Sequence, residues 1–203
     1  MRKQTKLVAV LSTAALLAIG ASMTSFAATG WAEEDGTWVY YNRDGERATD
    51  QWKKSGNNWY WLDSNGEMAI DQLIEDGDNY YYVDINGVMA ANQWVAIDNE
   101  DAGQDDEPDH YWYYFQANGK ALKNGDNSKV TLKTVNGKKY AFDEEGKMLY
   151  GWVSSDNAER VDDTDGDGFK EGDYYFGGED DGAMTVGWLQ LDITYDEATN
   201  DDY

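Results

Sequence analysis

One spacing constrains this chain more than anything else in it. Three stretches, GTWVYYNRDGERATDQW, NNWYWLDSNGEMAIDQL and DNYYYVDINGVMAANQW, superpose with their glycines Gly45, Gly66 and Gly87 21 residues apart. Trp31, Trp52, Leu73 and Trp94 keep the same interval. Later units hold the pattern with insertions, placing the equivalent glycine at Gly119, Gly146 and Gly182. A further unit opens at Gly187-Trp188. A fixed period of this size marks a repeat architecture whose units bury their apolar faces only against neighbours.

Each unit reads as a β-hairpin. A strand alternates over about four residues, a polar turn closes on glycine, and a shorter strand follows (ERATD, EMAID, VMAAN). One hairpin of this size is marginal in water, so stability must come from stacking. The expected fold is all-β, a solenoid or superhelix of tandem hairpins of about 21 residues. Composition agrees. Nine Trp and 15 Tyr against 5 Phe suit shallow aromatic clusters better than one deep aliphatic core. The absence of cysteine rules out disulfides, thiolate metal sites and thiol catalysis.

Alternation also assigns faces. Val39 and Tyr41, Tyr60 and Leu62, Tyr81 and Val83, Tyr113 and Phe115, and Tyr140 and Phe142 form one face, apolar or aromatic in five units. Trp38 and Tyr40, Trp59 and Trp61, Tyr80 and Tyr82, and Trp112 and Tyr114 form the other, which Lys139 and Ala141 then abandon. A face kept by every unit is read as core. A face that can be lost is read as the ligand face.

The termini and inserts divide the rest. MRKQTK, an apolar stretch over residues 7–21 and Ser25 and Ala27 at small-residue positions read as a signal peptide spanning 1–27. The repeats then occupy 29–192, with acidic inserts near 98–110 and 154–173, and 193–203 would be an incomplete last repeat. The expected location is secreted, at the cell wall or cell surface, with no membrane contact after cleavage. Formal charge is -24, and all 40 acidic residues lie beyond residue 32. Such a chain repels nucleic acid and anionic membranes and favours a cation or a neutral glycan.

The motif Gly30-Trp31 followed by Trp38–Tyr41, repeated as Trp59–Leu62, Asp63–Gly66, Met68 and Ala69, resembles the choline-binding, or cell-wall-binding, repeats of Gram-positive surface proteins. The likeness covers roughly residues 29–192 and is most specific through residue 125. It implies ligand cages between successive hairpins, built of aromatic rings and often closed by a methionine. Carried over, one site would use Trp52, Trp59, Tyr82 and Met89, and another Trp31, Trp38, Trp61 and Met68. A poorer one would use Trp94 and Trp112, since Ala141 follows where a ring is wanted. Leu73 and Tyr80 depart from the pattern in the third unit. The implied partner is choline or choline-substituted teichoic acid of the cell wall. The alternatives are a glycan (glucan)-binding repeat, as in related carbohydrate-binding repeats, and an adhesin stalk.

Other chemistry is sparse. Asp163, Asp165 and Asp167, with Glu171 where a water-linked ligand falls, match the opening of a calcium loop, although Tyr174 stands where the bidentate Glu belongs. No cofactor is otherwise required. The lone histidine, His110, has no nucleophile beside it. No GxGxxG, GxxxxGK, HExxH or GxSxG occurs, and the chain is read as non-enzymatic.

Overall fold

The computed structural model describes residues 29–104, 107–125, 129–163 and 166–191. The expected signal peptide, Asp165 of the expected calcium loop and the expected incomplete last repeat at 193–203 lie outside these. The described residues form twelve strands in six two-stranded antiparallel sheets. No helix among them is long and apolar enough to cross a membrane.

The strands pair in chain order: β1 (Gly30–Glu34) with β2 (Thr37–Tyr41), β3 (Gln51–Ser55) with β4 (Asn58–Leu62), and β5 (Gln72–Asp76) with β6 (Asn79–Val83). Then β7 (Gln93–Asp98) pairs with β8 (His110–Phe115), β9 (Lys133–Val135) with β10 (Lys138–Tyr140), and β11 (Trp152–Val153) with β12 (Tyr174–Tyr175). The hairpins are thus real, but their strands are not those expected. The partner of the Trp-Val-Tyr-Tyr strand is the Gly-Trp segment before it, not the ERATD segment after it. The reason is turn chemistry. Asp35-Gly36 and Asn136-Gly137 both hold positive φ at both residues, which matches the twist of a two-residue hairpin. Gly56 and Gly77 supply it at the first position.

The segments expected as second strands are staples instead. Each makes a single bridge to its own hairpin, as in Tyr41↔Arg47, Leu62↔Met68, Phe115↔Ala121 and Phe142↔Met148. The staple of the second hairpin donates in two directions: Met68 N–H to the Trp38 carbonyl at 2.8 Å and Ala69 N–H to the Trp61 carbonyl at 2.9 Å. The same device recurs downstream. Ala121 N–H reaches Tyr80 O, Met148 N–H reaches Trp112 O and Met184 N–H reaches Lys139 O, each at 2.7–2.8 Å. Backbone groups that a two-stranded edge would leave open are thereby satisfied by the neighbouring repeat.

The chain divides into two compact units, one comprising residues up to Asp71 with Asp84–Val88, the other Gln72–Val83 with Met89 onward. In the first, Val39, Tyr60 and Leu62 are buried. In the second, Val83, Tyr113, Phe115, Tyr140 and Phe142 are buried. The face expected as core is core, with Tyr41 and Tyr81 half-buried at its margin.

Candidate ligand-binding site

Strand register places the rings. On the other face, the pairs are Trp31↔Tyr40 and Glu33↔Trp38 in the first hairpin, and Trp52↔Trp61 and Lys54↔Trp59 in the second. The third has Leu73↔Tyr82 and Glu75↔Tyr80, and the fourth Trp94↔Tyr114 and Ala96↔Trp112. Each hairpin therefore carries an inner pair and an outer pair, with the outer nearer the hairpin turn.

The inner pairs pack within the fold, so rings on this face also serve cohesion. Ring centroids lie 5.4 Å apart for Trp31–Tyr40, 5.2 Å for Trp52–Trp61 and 5.1 Å for Trp94–Tyr114. Within each unit, Trp31, Trp94 and Tyr82 also pack on the apolar face of the following hairpin. Trp31 meets Tyr60 at 5.3 Å, Trp94 meets Tyr140 at 4.9 Å and Phe142 at 5.9 Å, and Tyr82 stacks on Phe115 at 6.1 Å. Trp61 is buried. The physical reason is that a two-stranded ribbon has two faces to cover. In hairpins one and two of the first unit, and three to five of the second, the aromatic face of one hairpin and the apolar face of the next cover each other. Trp31, Trp52, Trp61, Trp94 and Tyr82 thus each spend a ring on packing.

Among the outer rings Trp59 is 40% exposed, whereas Trp38, Tyr80 and Trp112 are half-buried, as are the inner rings Trp31, Trp52 and Trp94. Met68 and Met89, expected to close cages, are half-buried and sit at the joints between repeats. A Cβ on Gly87 would fall 2.9 Å from Met68 Cε, and one on Gly119 2.5 Å from Met89 Sδ. Of the two expected sites, Trp31, Trp38, Trp61 and Met68 all lie in the first unit. Trp52 and Trp59 lie in the first unit, while Tyr82 and Met89 lie in the second.

Tyr40, expected on the ligand face, and Tyr60, expected in the core, flank Trp31. Sequence reasoning missed two charged neighbours of these rings. Lys53 Nζ lies 4.7 Å from the Tyr40 ring centroid and donates to Asn42 Oδ1 at 2.8 Å. Asp180 Oδ1 accepts from Trp112 Nε1 at 3.0 Å and lies 3.0 Å from His110 Nε2. The Asp-Gly turn at 35–36 was the signal that pairs Trp31 with Tyr40. Nothing local signals Asp180, which reaches Trp112 across 68 residues.

The acidic loop is partly described. Asp163 Oδ1 accepts from Gly168 N–H at 2.8 Å, and Asp167 pairs with Lys170 at 3.5 Å. Glu171 is exposed. Among the described residues no group of three or more His, Cys, Asp or Glu side chains is placed to hold a metal ion.

A cavity of about 390 Å³ opens elsewhere, lined in part by Tyr111, Asp143, Lys147, Tyr150 and Arg160. The protein's own cations cover its rings: Lys147 Nζ lies 4.2 Å from the Tyr111 centroid and the Arg160 guanidinium 4.0 Å from that of Tyr150. Burial pushes the Asp143 carboxyl up to about 6, against the opposing hydrogen bond from Lys147 N–H. The folded chain therefore holds a proton here that the unfolded chain has already released. This contribution to stability is full below about pH 4 and is lost as pH rises through 6. Asp143→Asn should consequently gain on the wild type between pH 4.5 and 7 in urea midpoint. A difference that stays constant with pH would contradict this.

Comparison with known proteins follows the same lines. Residues 28–72 and 49–94 match the choline-binding repeat, and residues 111–121 the putative cell wall binding repeat. Choline-binding protein F of Streptococcus pneumoniae is 26% identical, with 81% of this chain and 47% of that one covered at a TM-score of 0.50. The choline-binding domain of Spr1274 in Streptococcus pneumoniae is 33% identical over 47% of this chain and 95% of that domain, with a TM-score of 0.35. The modular autolysin LytC from Streptococcus pneumoniae, solved with a synthetic peptidoglycan ligand, is 24% identical over 77% of this chain and 28% of its own, with a TM-score of 0.49. The chain thus spans less than half the length of that autolysin and of choline-binding protein F. No curated protein matches it.

Proposed function

This chain belongs to the choline-binding repeat family, and from that premise we propose that it is a non-catalytic, secreted module that holds choline or choline-bearing teichoic acid of the cell wall. The observation that carries this reading is the recurrence of an at least partly exposed outer ring at one register position in hairpin after hairpin: Trp38, Trp59, Tyr80 and Trp112. Their exposure is not needed by the core, which the inner rings already fill.

The chemistry fits a quaternary ammonium. Such a group cannot donate hydrogen bonds, and its solvation shell is weak. An aromatic face attracts it through the ring quadrupole, with about 0.5–2 kcal/mol per ring. A chain of formal charge -24 adds a long-range attraction for any cation. A few rings give a site on the order of millimolar, and repetition along the chain converts weak sites into firm attachment to a polymer.

The test is retention on a choline or tertiary-amine resin. The protein is expected to bind and to elute with free choline, and the double variant Trp38→Ala, Trp59→Ala should lose retention while its near-ultraviolet circular dichroism persists. Passage of the wild type straight through the resin at low salt would refute the reading. Elution by a soluble glucan and not by choline would replace it with glycan binding.

A further inference from the structure

We propose that the residue paired across the ribbon from each outer ring sets that ring's affinity for a cation, which makes the Trp38 edge the strong seat and the Trp59 edge the weak one. This rests on the reading that these rings meet a cationic ligand, and it ranks seats that the repeat makes look alike.

Directly opposed residues of an antiparallel pair hold their Cβ atoms about 4.5–5.5 Å apart. The opposed residue is thus the nearest side chain that the hairpin itself supplies to the outer ring. The register gives Glu33 opposite Trp38, Lys54 opposite Trp59, Glu75 opposite Tyr80 and Ala96 opposite Trp112. Four equivalent positions therefore carry two carboxylates, one ammonium and one methyl group.

At Trp38, a cation on the ring would have the exposed Glu33 carboxylate beside it. Two opposite unit charges about 6 Å apart, at an effective dielectric of roughly 40–80, favour binding about three- to tenfold. At Trp59 the sign reverses, and a second effect adds to it. Lys54 Nζ lies 5.7 Å from the Trp59 ring centroid, inside cation–π range. The tethered ammonium already uses the ring that a free ligand would need. A tethered group acts at an effective concentration in the millimolar range, comparable with the affinity of a small ring site.

The other two seats follow the same rule with a contribution from the tertiary fold. Tyr80 has the Glu75 carboxylate opposite it but also Lys123 Nζ at 5.7 Å from its ring, so attraction and occupation offset. Trp112 has only Ala96 across the ribbon, yet Asp180 is fixed at its Nε1 by a 3.0 Å hydrogen bond. The carboxylate that the strand pair omits arrives there from a distant turn.

The experiment uses the full chain labelled at the tryptophan indole nitrogens, titrated with choline chloride at low salt and read by the indole N–H signals. In the wild type, Trp38 should saturate at several-fold lower choline than Trp59. Lys54→Gln should tighten the Trp59 response three- to tenfold and leave Trp38 unchanged. Lys54→Arg, which keeps the charge, should leave Trp59 weak. Glu33→Gln should weaken the Trp38 response by a similar factor. The neutral isostere 3,3-dimethylbutan-1-ol should show no such ranking. If choline shifts both signals but the charge variants leave the midpoints in place, this inference is overturned and the proposed function stands. If choline moves no indole signal in any variant, both fall.

Discussion

Replacing Trp94 with alanine should cost about 3 kcal/mol of stability, at the low end of the range for large aromatic truncations because the ring is half-buried. Its indole sits among Tyr114 at 5.1 Å, Tyr140 at 4.9 Å and Phe142 at 5.9 Å, against a buried cluster that also includes Val135 and Met148. Alanine would leave a void walled by rings whose positions are fixed by strand pairing, so little collapse can fill it. Trp59→Ala removes a ring of the same size from a site that is 40% exposed and should cost less than about 1 kcal/mol. Urea unfolding followed by near-ultraviolet circular dichroism compares the two. Equal small losses would mean that the inner ring does not serve the core. The contrast also guards any binding experiment, since loss of ligand in Trp94→Ala would report unfolding.

An alanine at Gly87 should destabilise the chain by about 3 kcal/mol. Gly87 holds φ at +75°, which costs an L-residue about 1–2 kcal/mol. The added Cβ would also fall 2.9 Å from Met68 Cε and 3.0 Å from the Ala69 carbonyl oxygen. The methionine can turn aside, but the carbonyl belongs to a staple whose own N–H is committed to Trp61, so backbone must move. Gly36→Ala is the control. Its φ is +84°, yet nothing lies within 4 Å of the Cβ, so only the strain of about 1 kcal/mol should remain. If both variants lose the same amount, the joint between repeats is looser than the structure shows.

Much of the fold was legible because its periods are short. The 21-residue interval identified equivalent positions, and two-residue alternation grouped Val39, Tyr60, Leu62, Val83, Tyr113, Phe115, Tyr140 and Phe142, all of which are buried. Strand pairing differs from the expectation. The glycines of the Asp-x-Asn-Gly stretches recur, but the hairpins close at Asp35-Gly36, Gly56, Gly77 and Asn136-Gly137. The Asp-Gly and Asn-Gly pairs were readable as two-residue turns. The later turn instead returns the chain as a staple, with Asp63 Oδ1 and Asp84 Oδ1 each accepting two backbone N–H groups.

The candidate site was legible to the level of a face and not below it. Alternation placed Trp38 with Tyr40 and Trp59 with Trp61, and the register keeps them together. It could not separate outer from inner rings, because that depends on how far the next hairpin reaches across. Nor could it supply the charges beside them. Lys54 faces Trp59 only once the register is known, and Asp180 meets Trp112 only once the sixth hairpin is folded.

The amino-acid sequence determined the repeat, the strand character of each unit and the grouping of side chains by face, since all three follow from interactions within a few residues. Tertiary structure decided how far each ring is covered, leaving Trp59 exposed and Trp61 buried on the same strand. Burial is a property of a side chain and its neighbour together: Trp31 packs on Tyr60 of the following hairpin and Trp61 on Trp52 across its own ribbon, while Trp59 stays 40% exposed at the edge.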